Sequence, residues 1–297
     1  MNEVVLPGTA VKAAAYERSP GYWQTVGRRF RRDRVAMVAA FVVLILLVLA
    51  IFGPWLVPAD PYQSSMLKRL KPIGFEGHPL GTDELGRDML SRLIVGARLS
   101  LFMGITPVVF AFVLGSIIGI TAGYAGGMVN TALMRTIDVF YAFPSVLLAI
   151  ALSGALGAGI TNSLISLTIV FIPPIARVAE SVTTQIRGRE FVDAARASGA
   201  NPFTIVRVHV LGNVLGPIFV YATSLIAVSM ILASGLSFLG LGVKPPEPEW
   251  GLMLNTLRTA IYLQPWVAAL PGVMIFITSI AFNLLADGLR SAMEIKQ

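Results

Sequence analysis

The sequence predicts an all-α, polytopic membrane protein with six transmembrane helices. Three observations carry this expectation. Hydrophobic residues make up 55% of the 297 and charged residues 13%, with a mean hydropathy of +0.75, whereas a soluble domain carries about a quarter charged residues. Six apolar stretches reach the ~20 residues that cross a hydrocarbon core: 35–57, 99–122, 137–157, 163–181, 214–240 and 266–287. The basic residues are also unevenly shared between the connecting segments. With a cytoplasmic N-terminus, 15 of the 23 Lys and Arg fall inside and 8 outside, and this asymmetry predicts both termini in the cytoplasm.

Residues 1–34 read as a cytoplasmic N-terminal segment that ends in Arg28, Arg29, Arg31, Arg32 and Arg34. The run suits a topology signal facing anionic lipid. No aromatic-basic surface accompanies it, so nucleic acid is not an expected partner. The first span, 35–57, is too long and starts too late for a cleaved signal peptide.

An extracytoplasmic segment, 58–97, opens on the turn-rich Pro58-Ala59-Asp60-Pro61-Tyr62. Its second half reads as a helix along the membrane surface, capped by Thr82 or Asp83. Asp83/Arg87 and Asp88/Arg92 stand at i,i+4 spacing, and Leu85, Met89, Leu90 and Leu93 give an apolar side. Contact with a substrate-delivering protein is the functional alternative.

Residues 98–290 hold the other five spans, and 291–297 form a cytoplasmic tail. Gly115, Gly119 and Gly123 recur every four residues, and Ser153 with Gly157 forms a second small-residue pair, as suits close helix packing. Pro107, Pro144, Pro173–Pro174 and Pro271 are expected to kink or break helices. Asp138, Arg177, Glu180 and Asp287 lie near span boundaries, where pairing satisfies them. In the loop after the fifth span, Trp250 is an interface anchor or a partner contact.

A polar island at 188–212 interrupts the apolar pattern. Arg189–Ser198 reads as a short helix stopped by Gly199, where a left-handed residue is needed. Asn201 caps a second helix, with Pro202 at its first position and Gly212 at its end. Ala194 and Ala195 would let another backbone approach closely. The charge asymmetry places this helix-Gly-helix knob in the cytoplasm, on offer to a soluble partner.

Several chemistries are excluded. No cysteine is present, and His78 and His209 are far apart, which removes thiolate sites and an all-histidine metal site. The phosphate-loop, H-E-x-x-H and G-x-S-x-G patterns are missing. The chain is thus expected to be a transport subunit and not an enzyme; if ATP drives it, another polypeptide binds the nucleotide. No charge relay crosses the span centres and no inverted repeat is visible, which argues against an ion-coupled secondary carrier. A membrane scaffold would explain the knob but not the kinked, glycine-rich bundle.

The knob, Asp193-Ala194-Ala195-x-x-x-Gly199 followed by Ile205, Val208, His209 and Leu211, resembles the EAA motif of ABC-importer permeases. Aspartate stands for the usual glutamate, and Gly212 where proline often follows leucine. His78-Pro79-Leu80-Gly81-Thr82-Asp83 with Gly86-Arg87-Asp88 is similar to the dipeptide/oligopeptide/nickel permeases, on the C-type subunit side. So are Pro245-Pro246-x-Pro248-Glu249-Trp250-Gly251 and Phe282-Asn283-Leu284-x-x-Asp287-Gly288-Leu289-Arg290, and the similarity covers nearly everything after residue 25. The resemblance implies an ABC type-1 permease bundle in the cell inner membrane. It implies four kinds of partner: lipid, a homologous second permease subunit, two cytoplasmic ATPase subunits carrying ATP and Mg, and an external solute-binding protein. Phe191, Asp193, Ala194, Ala195, Arg196, Gly199 and Arg207 would couple to an ATPase groove, and Asp83, Arg87 and Asp88 would form the extracytoplasmic motif. The imported solute would be a peptide or a related small molecule.

Overall fold

The computed structural model describes residues 21–293. Most of the N-terminal segment 1–34 and the end of the tail 291–297, with Lys12, Arg18 and Lys296 of the charge count, lie outside the described residues. Eleven α-helices are present among them: α1 (Tyr22–Arg32), α2 (Arg34–Leu56), α3 (Met89–Ala125), α4 (Gly127–Tyr141), α5 (Ser145–Leu156), α6 (Ile160–Arg187), α7 (Glu190–Ala197), α8 (Pro202–Ile205), α9 (Leu211–Phe238), α10 (Trp250–Thr256) and α11 (Pro265–Met293). α2, α3, α6, α8 running into α9, and α11 are each long and apolar enough to span a bilayer.

The third expected span is broken. α4 and α5 meet at 86° across Ala142–Pro144. Proline disfavours helical backbone at the residue before it, so Phe143 cannot carry α4 into α5. Pro107, Pro173, Pro174 and Pro271 instead sit inside continuous helices, where neighbouring helices can compensate the lost backbone bonds.

Lipid offers little hydrophobic drive for helices to associate, so backbone proximity must hold the bundle. Gly115, Gly119 and Gly123 supply it on α3 by lying directly against α6. A methyl at Gly115 would stand 3.0 Å from the Ile172 carbonyl oxygen, and one at Gly123 would stand 2.7 Å from that of Glu180. Asn130 donates to Glu180 Oε1 at 2.7 Å, and Arg177 pairs with Asp138, fastening α4 to the same helix. Ser153 is buried, whereas Gly157 (φ +92) caps the end of α5, where a methyl would meet only Asn162 Nδ2 at 3.8 Å.

The helix α1 had no counterpart in the sequence reading. Its Val26 is buried and its arginines 28, 29, 31 and 32 are exposed, and Asp33 then caps α2 through the Val35 and Ala36 amides. Trp250 departs from the interface expectation, being fully buried. Its Nε1 donates to the Leu93 carbonyl at 3.0 Å, and its ring lies against Gly96, where a methyl would come within 3.2 Å of Cδ1. The adjoining Glu249 caps α10 through the Gly251 and Leu252 amides and accepts from Ser100 Oγ. Burial pushes its carboxyl above the usual range, more strongly than these donors lower it.

Candidate functional site

The knob is built from one tight reversal. Two residues after α6 ends at Arg187, α7 begins, with Glu190 and Asp193 in its first turn, where the helix dipole favours negative charge. At its end the Gly199 amide donates to the Arg196 carbonyl (2.9 Å) and the Ala200 amide to that of Ala195 (3.1 Å). These are the paired bonds of a Schellman stop. They need a left-handed residue, and Gly199 has φ +81 with open space around it. Asn201 Oδ1 then accepts from the Thr204 amide at 2.8 Å, with Pro202 opening α8.

Gly212 does not end the second helix. The chain passes from α8 through a π turn, Val206–Val210, directly into α9. A glycine costs an interior helix only about 1 kcal/mol, and the buried Val210 and Val214 on either side keep this one helical. The knob is therefore joined to α6 by two residues and to α9 by continuous helix. Val192, Ile205 and Val210 are buried beneath it and seat it on the bundle.

Its outer face carries Phe191, Asp193, Ala194, Arg196 and Arg207 in the open. Ala195 is only half-exposed and packs against the core, so of the two alanines Ala194 presents the open backbone. Arg196 pairs with Asp193 at 2.9 Å and lies over the Tyr124 ring at the end of α3. Phe203 and Val208 extend the apolar part of this surface and are 75% and 61% exposed. Phe203 was absent from the sequence-derived set. Its signal was a large apolar residue at the second position of a helix in a polar island.

The second expected cluster lies elsewhere and has a different form. No helix starts at Thr82 or Asp83: residues 78–88 form a tight loop and α3 begins at Met89. Asp83 folds back on itself, with Oδ1 accepting from the Leu85 and Arg87 amides (both 2.9 Å) and Oδ2 from Arg87 Nε (2.7 Å). Such side-chain-to-backbone bonds compete with a helix. Gly81 (φ +78) and Gly86 (φ +74) complete the turns, and a side chain at Gly86 would overlap the Ser65 carbonyl.

The Asp88/Arg92 pair does not form either. Asp88 caps α3 through the amide and hydroxyl of Ser91 (2.8 and 2.7 Å) and faces His78 Nδ1 at 3.0 Å. Arg92 turns to the Pro61 carbonyl (3.0 Å) and to Asp83 Oδ2 (3.3 Å). Asp83, Arg87 and Asp88 are all buried. They hold the loop together and present no docking face. Glu84, which accepts from Arg87 Nη2 at 3.0 Å, has its carboxyl pushed up by burial and then by Asp83.

Comparison with known proteins finds relatives that match most of the chain. The family model described as "Binding-protein-dependent transport system inner membrane component" matches residues 115–295. A second, the N-terminal TM domain of oligopeptide transport permease C, matches 21–72. The chain is 40% identical over 274 residues to the glutathione transport system permease protein GsiD of Pectobacterium atrosepticum, covering 92% of this chain and 91% of that one. It is 43% identical to the GsiD of Escherichia coli O6:K15:H31, with 92% and 90% covered. Among solved structures, an inward-facing MetNI methionine ABC transporter chain shares the fold, with a TM-score of 0.56 at 21% identity over 69% of this chain and 97% of that one. The chain belongs to the binding-protein-dependent inner-membrane components, as a multi-pass permease subunit of an ABC importer in the dipeptide/oligopeptide/nickel group.

Proposed function

We propose that this permease imports a short peptide or glutathione-like solute through a pathway shared with a homologous second permease subunit. Two cytoplasmic ATPases drive it, and an external binding protein supplies the solute. ATP and Mg act on the ATPases, and this chain supplies no catalytic group. Both termini and the knob are cytoplasmic in this reading.

The observation that carries the proposal is the knob's construction, a rigid reversal wired to α6 and α9 with Phe191, Ala194, Phe203 and Val208 uncovered on its outer face. Seated in an ATPase groove, it would pass closure of the nucleotide sites to two spans at once. Energy enters because the ATP-bound ATPases bind one conformation of the permease better than the other. The relatives named for glutathione transport support the choice of solute class.

The test is reconstitution with the partner subunits and the binding protein in liposomes, followed by uptake of labelled glutathione and dipeptides with and without ATP. ATP-dependent accumulation of either is expected; uptake driven by an ion gradient alone would refute the reading. Reporter fusions should place residue 195 in the cytoplasm and residue 75 outside, and a cytoplasmic signal at 75 would overturn the orientation.

A further inference from the structure

At the end of the bundle away from the knob, α2 and α3 part to leave a cleft of about 890 Å³. They touch where Gly53 admits Ile94, to which a methyl at Gly53 would come within 3.0 Å. Beyond that contact Pro54 and Val57 on one side and Val95 and Phe102 on the other form apolar walls. The walls continue into faces that no other described residue covers: Ile51, Trp55, Phe102 and Phe110 are between 47% and 77% exposed.

The polar end of the cleft has a definite charge pattern. Arg98 is exposed and has no hydrogen-bond or ion-pair partner among the described residues. Asp60 uses Oδ1 to accept from the Tyr62 amide at 2.8 Å, and its other oxygen has no donor among the described residues. Glu247 accepts from the Tyr62 hydroxyl through Oε2 at 2.9 Å, and its Oε1 likewise has no donor among the described residues. The cleft thus offers one guanidinium and two carboxylate oxygens beside an exposed apolar wall on two helices that are long and apolar enough to span a bilayer. Arg92 fixes this rim by donating to the carbonyls of Pro61 and Pro246.

We propose that this cleft is a binding site for a zwitterionic phospholipid whose headgroup carries a primary ammonium. The phosphodiester sits on Arg98, whose planar donors suit phosphate oxygens. The ammonium donates to Asp60 and Glu247, and an acyl chain runs down the α2–α3 wall. A choline headgroup has no N–H for the carboxylates, and a glycerol headgroup leaves both of them facing a net anion. A free peptide would offer the same pair of charged ends, but the apolar wall favours the lipid, because it is continuous with the bilayer-facing sides of α2 and α3.

The test is native mass spectrometry of the delipidated full chain, titrated with phosphatidylethanolamine, phosphatidylcholine or phosphatidylglycerol of matched chains. Phosphatidylethanolamine should bind at least ~10-fold more tightly than either, a difference of about 1.4 kcal/mol. Arg98→Gln should weaken binding of all three lipids about alike, with Arg98→Lys keeping part of the affinity, whereas the pair Asp60→Asn with Glu247→Gln should abolish the preference. Equal binding of the three lipids, undiminished lipid affinity in Arg98→Gln, an intact preference in the carboxylate pair, or displacement of the lipid by a dipeptide would each overturn the proposal. If Arg98→Gln fails to fold, the headgroup series on the unmodified chain and the carboxylate pair decide.

Discussion

Replacing Gly199 with valine tests the coupling role proposed for the knob. A methyl at this position meets nothing within 4 Å, so overpacking contributes nothing and the whole penalty comes from the backbone at φ +81. For an L-residue that penalty is about 1–2 kcal/mol, and β-branching adds to it. If the turn opens instead, the two Schellman bonds at 2.9 and 3.1 Å are exchanged for water, at a net cost of about 0.5–1.5 kcal/mol each. An equilibrium that requires the intact turn weakens roughly 5- to 30-fold by the first route and roughly 5- to 150-fold by the second. Val192, Ile205 and Val210 stay buried, so the bundle itself should insert and unfold as before. Asparagine tolerates left-handed backbone, and Gly199→Asn should restore most of what Gly199→Val loses. The assays are co-purification of the ATPase subunits and ATP-driven uptake in liposomes. Unchanged performance of Gly199→Val in both, or equal damage from Gly199→Asn, would show that the turn is not part of the coupling element.

Three further outcomes are expected. Ala194→Trp and Phe203→Asp should reduce ATPase co-purification at normal membrane levels, whereas Ala195→Trp should also lower the thermal stability of the isolated chain, since that alanine packs inward and overpacking costs about 1–3 kcal/mol. Arg87→Ala should destabilise the chain by about 1.5–3 kcal/mol in thermal unfolding, because it takes the 2.7 Å charge-assisted bond from buried Asp83 and leaves it only Arg92 at 3.3 Å as a charged partner, and lysine should not rescue it, being unable to reproduce the planar contacts to Asp83 and Glu84. The raised carboxyl of Glu249 sets a pH dependence: its protonated form is favoured in the fold, so its stability contribution is complete below the ordinary glutamate value and is lost as pH rises through the raised one. Unfolding temperatures measured from pH 4 upward should show that decline, and Glu249→Gln should flatten it; an identical slope in both proteins would remove Glu249 as the source.

The spans were legible because a bilayer demands runs of apolar residues that little else in a protein needs. The Gly199 turn was legible because few sequences satisfy a helix stop and a new cap within three residues. The loop before α3 was misread for a reason of the same kind. Asp83 and Arg87 four apart suit a helix, but they equally suit a carboxylate that gathers its own backbone amides, and only Gly81 and Gly86 pointed to the second. Burial of Trp250 was beyond local reading, since it depends on Gly96 and on the Leu93 carbonyl, more than 150 residues away. The helix α1 escaped because its arginines drew attention to charge and away from the single buried valine beneath them.

The glycine ladder on α3 limits how this bundle can move. Helices separated by side chains can slide, since rotamers absorb the shift. Helices whose carbonyls and Cα atoms face each other, as α3 and α6 do along three successive turns, have no such lubricant. They must travel as one post. A permease that alternates between openings therefore has to bend where its backbone is already interrupted, and Ala142–Pro144, between α4 and α5, is such a joint. Stiffening that joint should slow the cycle even with every contact to the ATPases intact.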